Sequence, residues 1–460
     1  MSATVLPGVR VEVVRDGEDP AAMSGYAALR RRAFVEEQRL FHLDDADAFD
    51  DHPETRVLVA RGDEGTVVGG VRVHLACEDA TLGWWRGSRL VCERRHPAAR
   101  GAIGAVLVRA ACEEALGAGA LRFDAQVQER HRRFFALLGW EDVRAVEVAG
   151  APHRLMRWPV DRLARAAAAK AALGPLLDGA LGTPAGWLGD DGVTVAGTDV
   201  VAATDAILPA MVEDDPEWAG WCGMLVTAHD LSAMGAAPVG ALDALGARDA
   251  QHAERVVRGL RAGAQALRLP LLGGHTTLGA AGALSVTGLG RTAYPVPGGG
   301  GRAGDALTVT ADLSGGWRAG YGRTQWDSSS ARSREELAAM LDAVATAQPR
   351  AAKDVSMPGV VGTVGMLAEA SGCGAEIDVA AIPRPDGVAA ADWLTCFPGF
   401  AMVTADASGA PPLPAGPAAA AECGRLEAAP GVRLRWPDGA VTNALPGPVT
   451  GLGPSHQEAA

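Results

Sequence analysis

Residues 218–245, WAGWCGMLVTAHDLSAMGAAPVGALDAL, constrain the fold more than any other stretch of the chain. Trp218, Trp221, Leu225, Ala228, Leu231 and Met234 recur every three or four positions, which is the spacing of one helical face. Gly235 can leave helical geometry and Pro238 has no backbone N–H to donate, so the helix stops there. Residues 239–245 are a short apolar run that reads as a strand. Asp230 is the one acid in an otherwise neutral helix. A charge beside an apolar face needs a partner, and a metal ion is one candidate.

At 460 residues the chain exceeds one ordinary core and predicts two or three domains. Its net charge of -13 argues against nonspecific binding to nucleic acid or an anionic membrane. Seven scattered cysteines with no CxxC pair read as reduced thiols. No run approaches twenty uninterrupted apolar residues, and residues 1–19 lack a basic-then-apolar leader pattern. A soluble cytoplasmic protein is expected.

The first third alternates strand and helix signals. Residues 9–14 read as an edge strand, 20–37 as a helix, 41–54 as an acidic loop, and 57–60 with 67–75 as a strand pair. Residues 83–92 are a further strand candidate. Basic and Gly/Ala residues then open a helix from about Ile103, and a glycine-containing turn at a helix N-terminus offers N–H groups to an anion. A strand at 121–127, the segment HRRFFALLGW, and strands near Val146 and Leu155 complete the order.

This β-α-β-β-β-α-β-α-β order resembles a GNAT N-acyltransferase. RRAFVEEQ (31–38), RRFFALLGW (132–140) and GAPHRLM (150–156) each resemble a family element. The resemblance implies that Leu90, Cys92, Arg100, Gly101, Ala102, Ile103, Gly104 and Ala105 cradle acetyl-CoA. Two departures stand out. The loop has Ala99 and Ala102 where the family has Arg or Gln and Gly, and Phe135 stands where many members place a tyrosine acid. Glu36 and Glu37 have two readings, general bases acting through water or a solvated helix end, the plainer of the two. His153 reads as a packed strand histidine. Ala-rich residues 161–182 follow as a linker helix.

The second module gathers acids. Asp190 and Asp191 sit together on a glycine-flanked turn, and adjacent carboxylates repel unless solvated or bound to a cation. An ordinary hairpin acid pair is the other reading. A strand at 198–204 delivers Asp205. Residues 253–267 are an amphipathic helix. Residues 269–272 read as a short buried strand leading into the turn GGHTT (273–277), where His275 either positions phosphate or holds the turn. GGGGRAGD (298–305) reads as a flexible turn. In AAKDVSMPGVVGTVGML (351–367), Lys353 precedes Asp354, and the turn through Ser356, Gly359 and Gly362 feeds a helix N-terminus suited to phosphate. Lys353 is either a phosphate partner or a surface lysine.

HDLSAMGAAP (229–238), with GDD at 189–191 and Asp205 in ATDAI, resembles the signature of the AIR-synthase-like ATP-binding superfamily, over roughly residues 181–405. The resemblance implies Mg²⁺ at Asp190, Asp191, Asp205 and Asp230, ATP or substrate at Asp354, Ser356, Gly359 and Gly362, and catalytic roles for His275 and Lys353. It also implies a homodimer through a shared β-barrel. The expected architecture is α/β and α+β. It comprises a GNAT fold (1–160), the linker (161–182), a barrel-forming half (183–295), an α/β second half (296–445) and a disordered tail (446–460). The expected function is bifunctional. Acetyl-CoA-dependent acyl transfer to a small amine is joined to Mg-ATP-dependent phosphorylation of an amide or phosphate oxygen. A nucleotide- or CoA-binding sensor with a degenerate acetyltransferase half is the alternative.

Overall fold

The computed structural model describes residues 6–15, 18–93, 102–181 and 187–455. It divides into two compact units, Met1–Arg162 with Ala389–Ala391, and Leu163–Val388 with Asp392–Ala460. Among the described residues no helix is long and apolar enough to cross a membrane.

Unit 1 is built on β1 (Val9–Val14), β2 (Arg56–Gly62), β3 (Val67–Leu75), β4 (Trp84–Cys92), β5 (Arg122–Gln128), β6 (Glu141–Val148) and β7 (Ala151–Trp158). They form one sheet in the order β1-β2-β3-β4-β5-β7-β6. Neighbours are antiparallel except β4 and β5, whose parallel ladder runs only from Trp84 opposite Arg122 to Gly87 opposite Ala125. Beyond Gly87 and Ala125 the two strands share no ladder. Helix α1 (Pro20–Arg30) continues into a π-helical turn, Arg31–Glu37. Helix α2 (Ala102–Gly117) buries Ile103, Leu107 and Ala111, spaced four apart, in the core over the sheet. Helix α3 (Arg132–Leu137) follows β5. The acidic loop at 41–54 is pinned by buried guanidinium groups. Arg30 donates to Asp45 at 2.8 Å and to Asp50 at 2.6 Å, and Arg72 donates to Asp47 at 2.7 Å. The loop is acidic because those two buried cations must be paired.

Unit 2 opens with the short helices α4 (Arg162–Ala167) and α5 (Leu173–Leu177). Next come β8 (Val193–Thr194), β9 (Val200–Ile207), α6 (Pro209–Asp214), α7 (Pro216–Ala233), β10 (Ala237–Ala247), α8 (Ala250–Ala266), β11 (Leu271–Leu278) and β12 (Ala283–Arg291). The strands order as β11-β10-β12-β9-β8, with only β10 and β11 parallel. The second part contains β13 (Ala306–Ala311), β14 (Gly316–Trp317), β15 (Gln325–Asp327), α9 (Arg334–Leu341), α10 (Ala343–Ala347), β16 (Ala351–Asp354), α11 (Gly359–Ala370) and β17 (Gly374–Asp378). It ends with β18 (Phe397–Pro398), β19 (Ala401–Asp406), β20 (Ala419–Glu427), β21 (Val432–Arg435) and β22 (Val441–Leu445). Seven of these strands form the sheet β16-β19-β13-β20-β17-β21-β22, and β14-β15-β18 form a small one.

Helix α7 is the centre of unit 2. One apolar face was expected, yet fifteen of its eighteen residues are buried. It packs on β9 and β12, on α8, and against β16 of the other large sheet. A helix covered on several sides is apolar nearly all round, and of its two acids Glu217 is exposed in the first turn while Asp230 is buried.

Four expectations need correction. GGHTT is not a turn: it lies inside β11, and His275 pairs with Ala244 of β10. β11 is also exposed rather than buried, because it is the edge of its sheet. The run 298–301 is not a flexible turn. A Cβ at Gly299 would lie 2.2 Å from the Ala370 carbonyl oxygen, and one at Gly300 would lie 2.3 Å from that of Arg350. Backbones cross there too closely for side chains. Finally, residues 446–455 are packed rather than disordered. The Val449 and Thr450 N–H groups donate to Glu369 at 2.8 Å, and Ser455 is buried. Satisfying that partly buried carboxylate fixes the segment.

Candidate functional site

Three elements of unit 2 bring carboxylates together. Asp230 comes from the last turn of α7, Asp354 ends β16, and Asp191 lies in the turn before β8. One oxygen of each lies within 4.8 Å of the others. The turn is held in place by two contacts to Asp191. Lys353 Nζ donates to Asp191 Oδ1 at 2.5 Å and to the Gly189 carbonyl at 2.8 Å, and the Asp354 N–H donates to Asp191 Oδ2 at 3.0 Å. Lys353 is therefore a buried partner of the acid cluster and not a surface lysine, with 3% of its surface exposed.

The electrostatics follow from burial. Desolvation raises the Asp230 and Asp354 carboxyls well above the ordinary range, and the neighbouring aspartates push them further. Asp205 is raised for the same reason and shares a side-chain hydrogen bond with Asp230. Burial works against the Lys353 charge, but Asp191, Asp190 and Asp354 outweigh it and raise its pKa. One ammonium does not balance four acids. A divalent cation would, and all-oxygen donors of this kind suit Mg²⁺. The residues present fit that ion, with Asp191, Asp230 and Asp354 as the direct donors.

Asp190 and Asp205 depart from the expected four-acid metal set. Asp190 acts on Lys353 but lies outside the three closest acids: its Oδ1 accepts the Gly298 N–H at 3.0 Å, while its Oδ2 is buried without a hydrogen-bond partner. Its carboxyl is pushed up to about 7, chiefly by burial and further by Asp191. Asp190 thus clamps the close-packed glycine run. Asp205 stands beside Asp230, one step outside the three closest acids.

The Asp190 shift fixes the sign of a pH response in the ion-free protein. In the unfolded chain this carboxyl titrates near its ordinary value, about 4. Between that value and about 7 the folded protein holds a proton that the unfolded chain lacks. Stability is therefore gained as pH falls through this window and lost as it rises. His229, pushed down to about 4 by burial, acts in the opposite direction. The Asp190 contribution is best read as the difference in Tm between wild type and Asp190→Asn in chelator. That difference is expected to move in favour of wild type from about pH 8 to about pH 6. A difference that is flat or of opposite slope would contradict the assignment.

The remaining expected site residues are placed as follows. Ser356 donates its N–H to Thr363 Oγ1 at 3.3 Å, in the turn that feeds α11, and Gly359 and Gly362 lie in the first turn of that helix. This turn follows Asp354 directly and adjoins the acid cluster. His275 does not join the site: it lies on the exposed edge strand. In unit 1, a cavity of about 1170 Å³ is lined by Glu37, Leu90, Cys92, Gly104, Phe135 and His153, among others. Glu36 is exposed, does not line it and pairs with Arg31 at 3.4 Å. Ala102, Ile103 and Ala105 open α2, with Ile103 fully buried in the core. Arg100 and Gly101 lie outside the described residues. The role of Asp190 could have been suspected from the glycine run, since four consecutive glycines with no loop function imply close backbone passage.

Comparisons with known proteins bear on unit 2. The family described as AIR synthase related protein, N-terminal domain, matches residues 189–292, and its C-terminal domain matches residues 302–436. The uncharacterized protein sll0787 of Synechocystis sp. is 32% identical over 223 residues, which cover 47% of this chain and 69% of that protein. The uncharacterized protein MJ0640 of Methanocaldococcus jannaschii is 32% identical over 193 residues, 40% of this chain and 59% of that one. Among solved structures, T. maritima PurL complexed with ADP aligns with a TM-score of 0.51 at 13% identity. The alignment covers 66% of this chain and 54% of that chain. At that identity the likeness shows the fold alone.

Proposed function

The chain belongs to the AIR synthase related family, and from that premise we propose that unit 2 uses Mg-ATP to phosphorylate an oxygen of a small nitrogenous substrate. The observation that carries this reading is the buried cluster of Asp191, Asp230 and Asp354 around Lys353, beside a helix N-terminus. Mg²⁺ would be held by the three carboxylates and would supply charge neutralisation at the transferring phosphoryl group. Lys353 fixes Asp191 and adds positive potential. The 356–362 turn presents N–H groups at the start of α11, where phosphate oxygens are stabilised. Buried carboxylates and N–H groups already in place need no reorganisation when charge shifts from the γ-phosphoryl group to the departing ADP. The shared fold with a PurL that binds ADP supports a nucleotide in this unit.

For unit 1 the reading is acetyl-CoA-dependent acyl transfer to an amine. Its support is the parting of β4 from β5 beyond Gly87 and Ala125, and the large cavity that Leu90, Cys92 and Gly104 line. Of the two candidate bases only Glu37 reaches that cavity. Burial pushes the Cys92 thiol up to about 12, so it stays neutral and does not act as a thiolate. Phe135 packs edge-on against Trp140 at 5.3 Å and donates no proton, so a bound water is left to protonate the departing thiolate. A homodimer through the barrel-forming sheet is supported by the unpaired edge β11 and by exposed Leu242, Leu272 and Leu278 on and beside it.

Calorimetric titration of the full chain tests both halves. ATP is expected to bind only with Mg²⁺ present, and acetyl-CoA is expected to bind independently of Mg²⁺. Absence of ATP binding would overturn the reading of unit 2, and absence of acetyl-CoA binding would overturn that of unit 1.

A further inference from the structure

The parted strands of unit 1 open the sheet from one face to the other. Gly69 and Gly70 of β3 show which helix covers which face, because successive strand residues point to opposite sides. A Cβ on Gly69 would lie 3.0 Å from Ile103 and Leu107 of α2, and one on Gly70 would lie 2.5 Å from the Tyr26 ring of α1. On β5, Phe123, Ala125 and Val127 belong to the core under α2. Gln128 therefore stands on the α1 face, where its Nε2 donates to Gln38 Oε1 at 2.7 Å. His153 is the partner of Gln128 on β7, in an unbroken register, and shares that face. One cavity is lined by Gly104 and Ala111 of α2 and also by Gln38, Gln128 and His153, so it reaches both faces.

The His153 ring is oriented as a base. Its Nδ1 lies 2.9 Å from the Ala151 carbonyl oxygen, two residues earlier on the strand. A carbonyl only accepts, so Nδ1 carries the proton and the neutral ring keeps its lone pair on Nε2. Nε2 makes no hydrogen bond among the described residues, and unlike Nδ1 of His252 it is not sealed from water. With 4% of its surface exposed, His153 is reached by way of the cavity it lines. Glu37 lines the same cavity but is exposed at the end of the π-helical turn. Glu129, Arg130 and His131 of the short turn after β5 line it too. Arg130 Nε donates to His131 Nε2 at 3.3 Å, and Glu129 lies 4.0 Å from Arg154.

From this placement we infer that His153 is the general base that takes a proton from the acceptor amine; the inference rests on the acyl-transfer reading of unit 1. The thioester enters from the α2 face and the amine from the α1 face, and they meet where β4 and β5 share no ladder. An amine arrives as an ammonium, which has no lone pair to attack with. His153 Nε2 takes one proton and leaves the neutral amine. The nitrogen attacks the thioester carbonyl carbon, a C–N bond forms and the C–S bond breaks. The second nitrogen proton passes through water to the departing thiolate, and the imidazolium returns its proton to solvent through the cavity. One ammonium and one thioester give one amide, one thiol and one proton. Gln38, Gln128 and Glu129 make the acceptor side polar, which suits a small hydrophilic amine.

Two nucleophiles separate a base from a packing residue. Ethylamine is protonated at neutral pH and needs a base, whereas hydroxylamine is largely neutral there and does not. The reading is kcat/KM for acetyl transfer from acetyl-CoA to each, in the full chain. His153→Asn keeps an amide N–H for the Ala151 carbonyl and removes Nε2. It is expected to lower the ethylamine value about a hundredfold or more and the hydroxylamine value less than about tenfold. The Kd for acetyl-CoA is expected to stay unchanged, and His153→Gln is expected to show the same split. The ethylamine deficit is expected to shrink as pH rises towards about 10, where an alkylamine sheds its own proton. Glu37, Glu129, Arg130 and His131 are common to both proteins, so their titration cancels in that ratio. Equal losses with both nucleophiles, or none, would overturn the inference. So would a split seen in Glu37→Gln but not in His153→Asn, or a wild-type chain that binds acetyl-CoA and acetylates neither amine. Failure of the wild-type chain to bind acetyl-CoA would remove the underlying reading instead, so the two failures are distinguishable.

Discussion

Asp230→Asn is expected to weaken Mg²⁺-dependent ATP binding by about a hundredfold or more and, in chelator, to make the folded protein more stable. Both effects come from the same burial. Asp230 faces Asp354, Asp205 and Asp191 at the end of a helix buried on nearly all sides. With a divalent ion present, its carboxylate is one of three donors, and removing one partner of a buried charge pair costs roughly 3–5 kcal/mol, which is about two to three and a half orders of magnitude in affinity. Without the ion, the same carboxylate is desolvated among like charges, and a neutral amide of equal shape relieves that repulsion. A stabilisation of about 1 kcal/mol, or a few degrees in Tm, is a reasonable scale. Loss of function with gain of apo stability marks a site strained for a ligand. Calorimetry with Mg-ATP and melts in chelator check the two halves. Retained Mg-ATP affinity would sink the metal assignment, and a fall in apo Tm would show Asp230 to be structurally satisfied without an ion.

The acids that the structure brings together were legible in the sequence as residue types, and their geometry was not. The helix carrying Asp230 announced itself by apolar spacing, and its stop by Gly235 and Pro238. The observed helix ends at Ala233, with β10 following from Ala237. What periodicity could not show is that α7 is enclosed on several sides, because a one-faced pattern and an all-round apolar helix differ only in residues such as Ala219 and Gly223 that fit either. Asp190 and Asp191 read alike as adjacent acids on a turn, yet successive side chains diverge. Asp191 meets Lys353, and Asp190 meets Gly298. His275 failed for a related reason. GGHTT has the composition of a turn, but a parallel edge strand beside β10 tolerates glycine, and Gly274 lies against Asp243 too closely for a side chain.

The second large effect concerns the crossing that sets α7 in place. Gly259→Ala is expected to destabilise unit 2 by more than about 3 kcal/mol, although alanine is the better helix former. A Cβ at Gly259 of α8 would stand 1.9 Å from the Glu217 carbonyl oxygen of α7, and one at Gly220 of α7 would stand 2.2 Å from that of Val256. The two helices touch backbone to backbone, so no side chain can swing aside. Helix propensity favours alanine over glycine by only about 1 kcal/mol. Forcing the axes apart would open the interface that buries Met224, Val256 and Leu260, and such core overpacking costs typically 1–3 kcal/mol, more where the backbone must move. The clash therefore outweighs the propensity. Gly117→Ala in α2 is the control, since a Cβ there meets nothing within 4 Å, and it is expected to be neutral or stabilising by up to about 1 kcal/mol. Because α7 also carries Asp230, Gly259→Ala should lower Mg-ATP affinity along with the midpoint of denaturant unfolding, while leaving acetyl-CoA binding in unit 1 intact. A Gly259→Ala protein as stable as wild type would mean that the helices do not cross at this distance, and the position of Asp230 against β16 would then need another explanation.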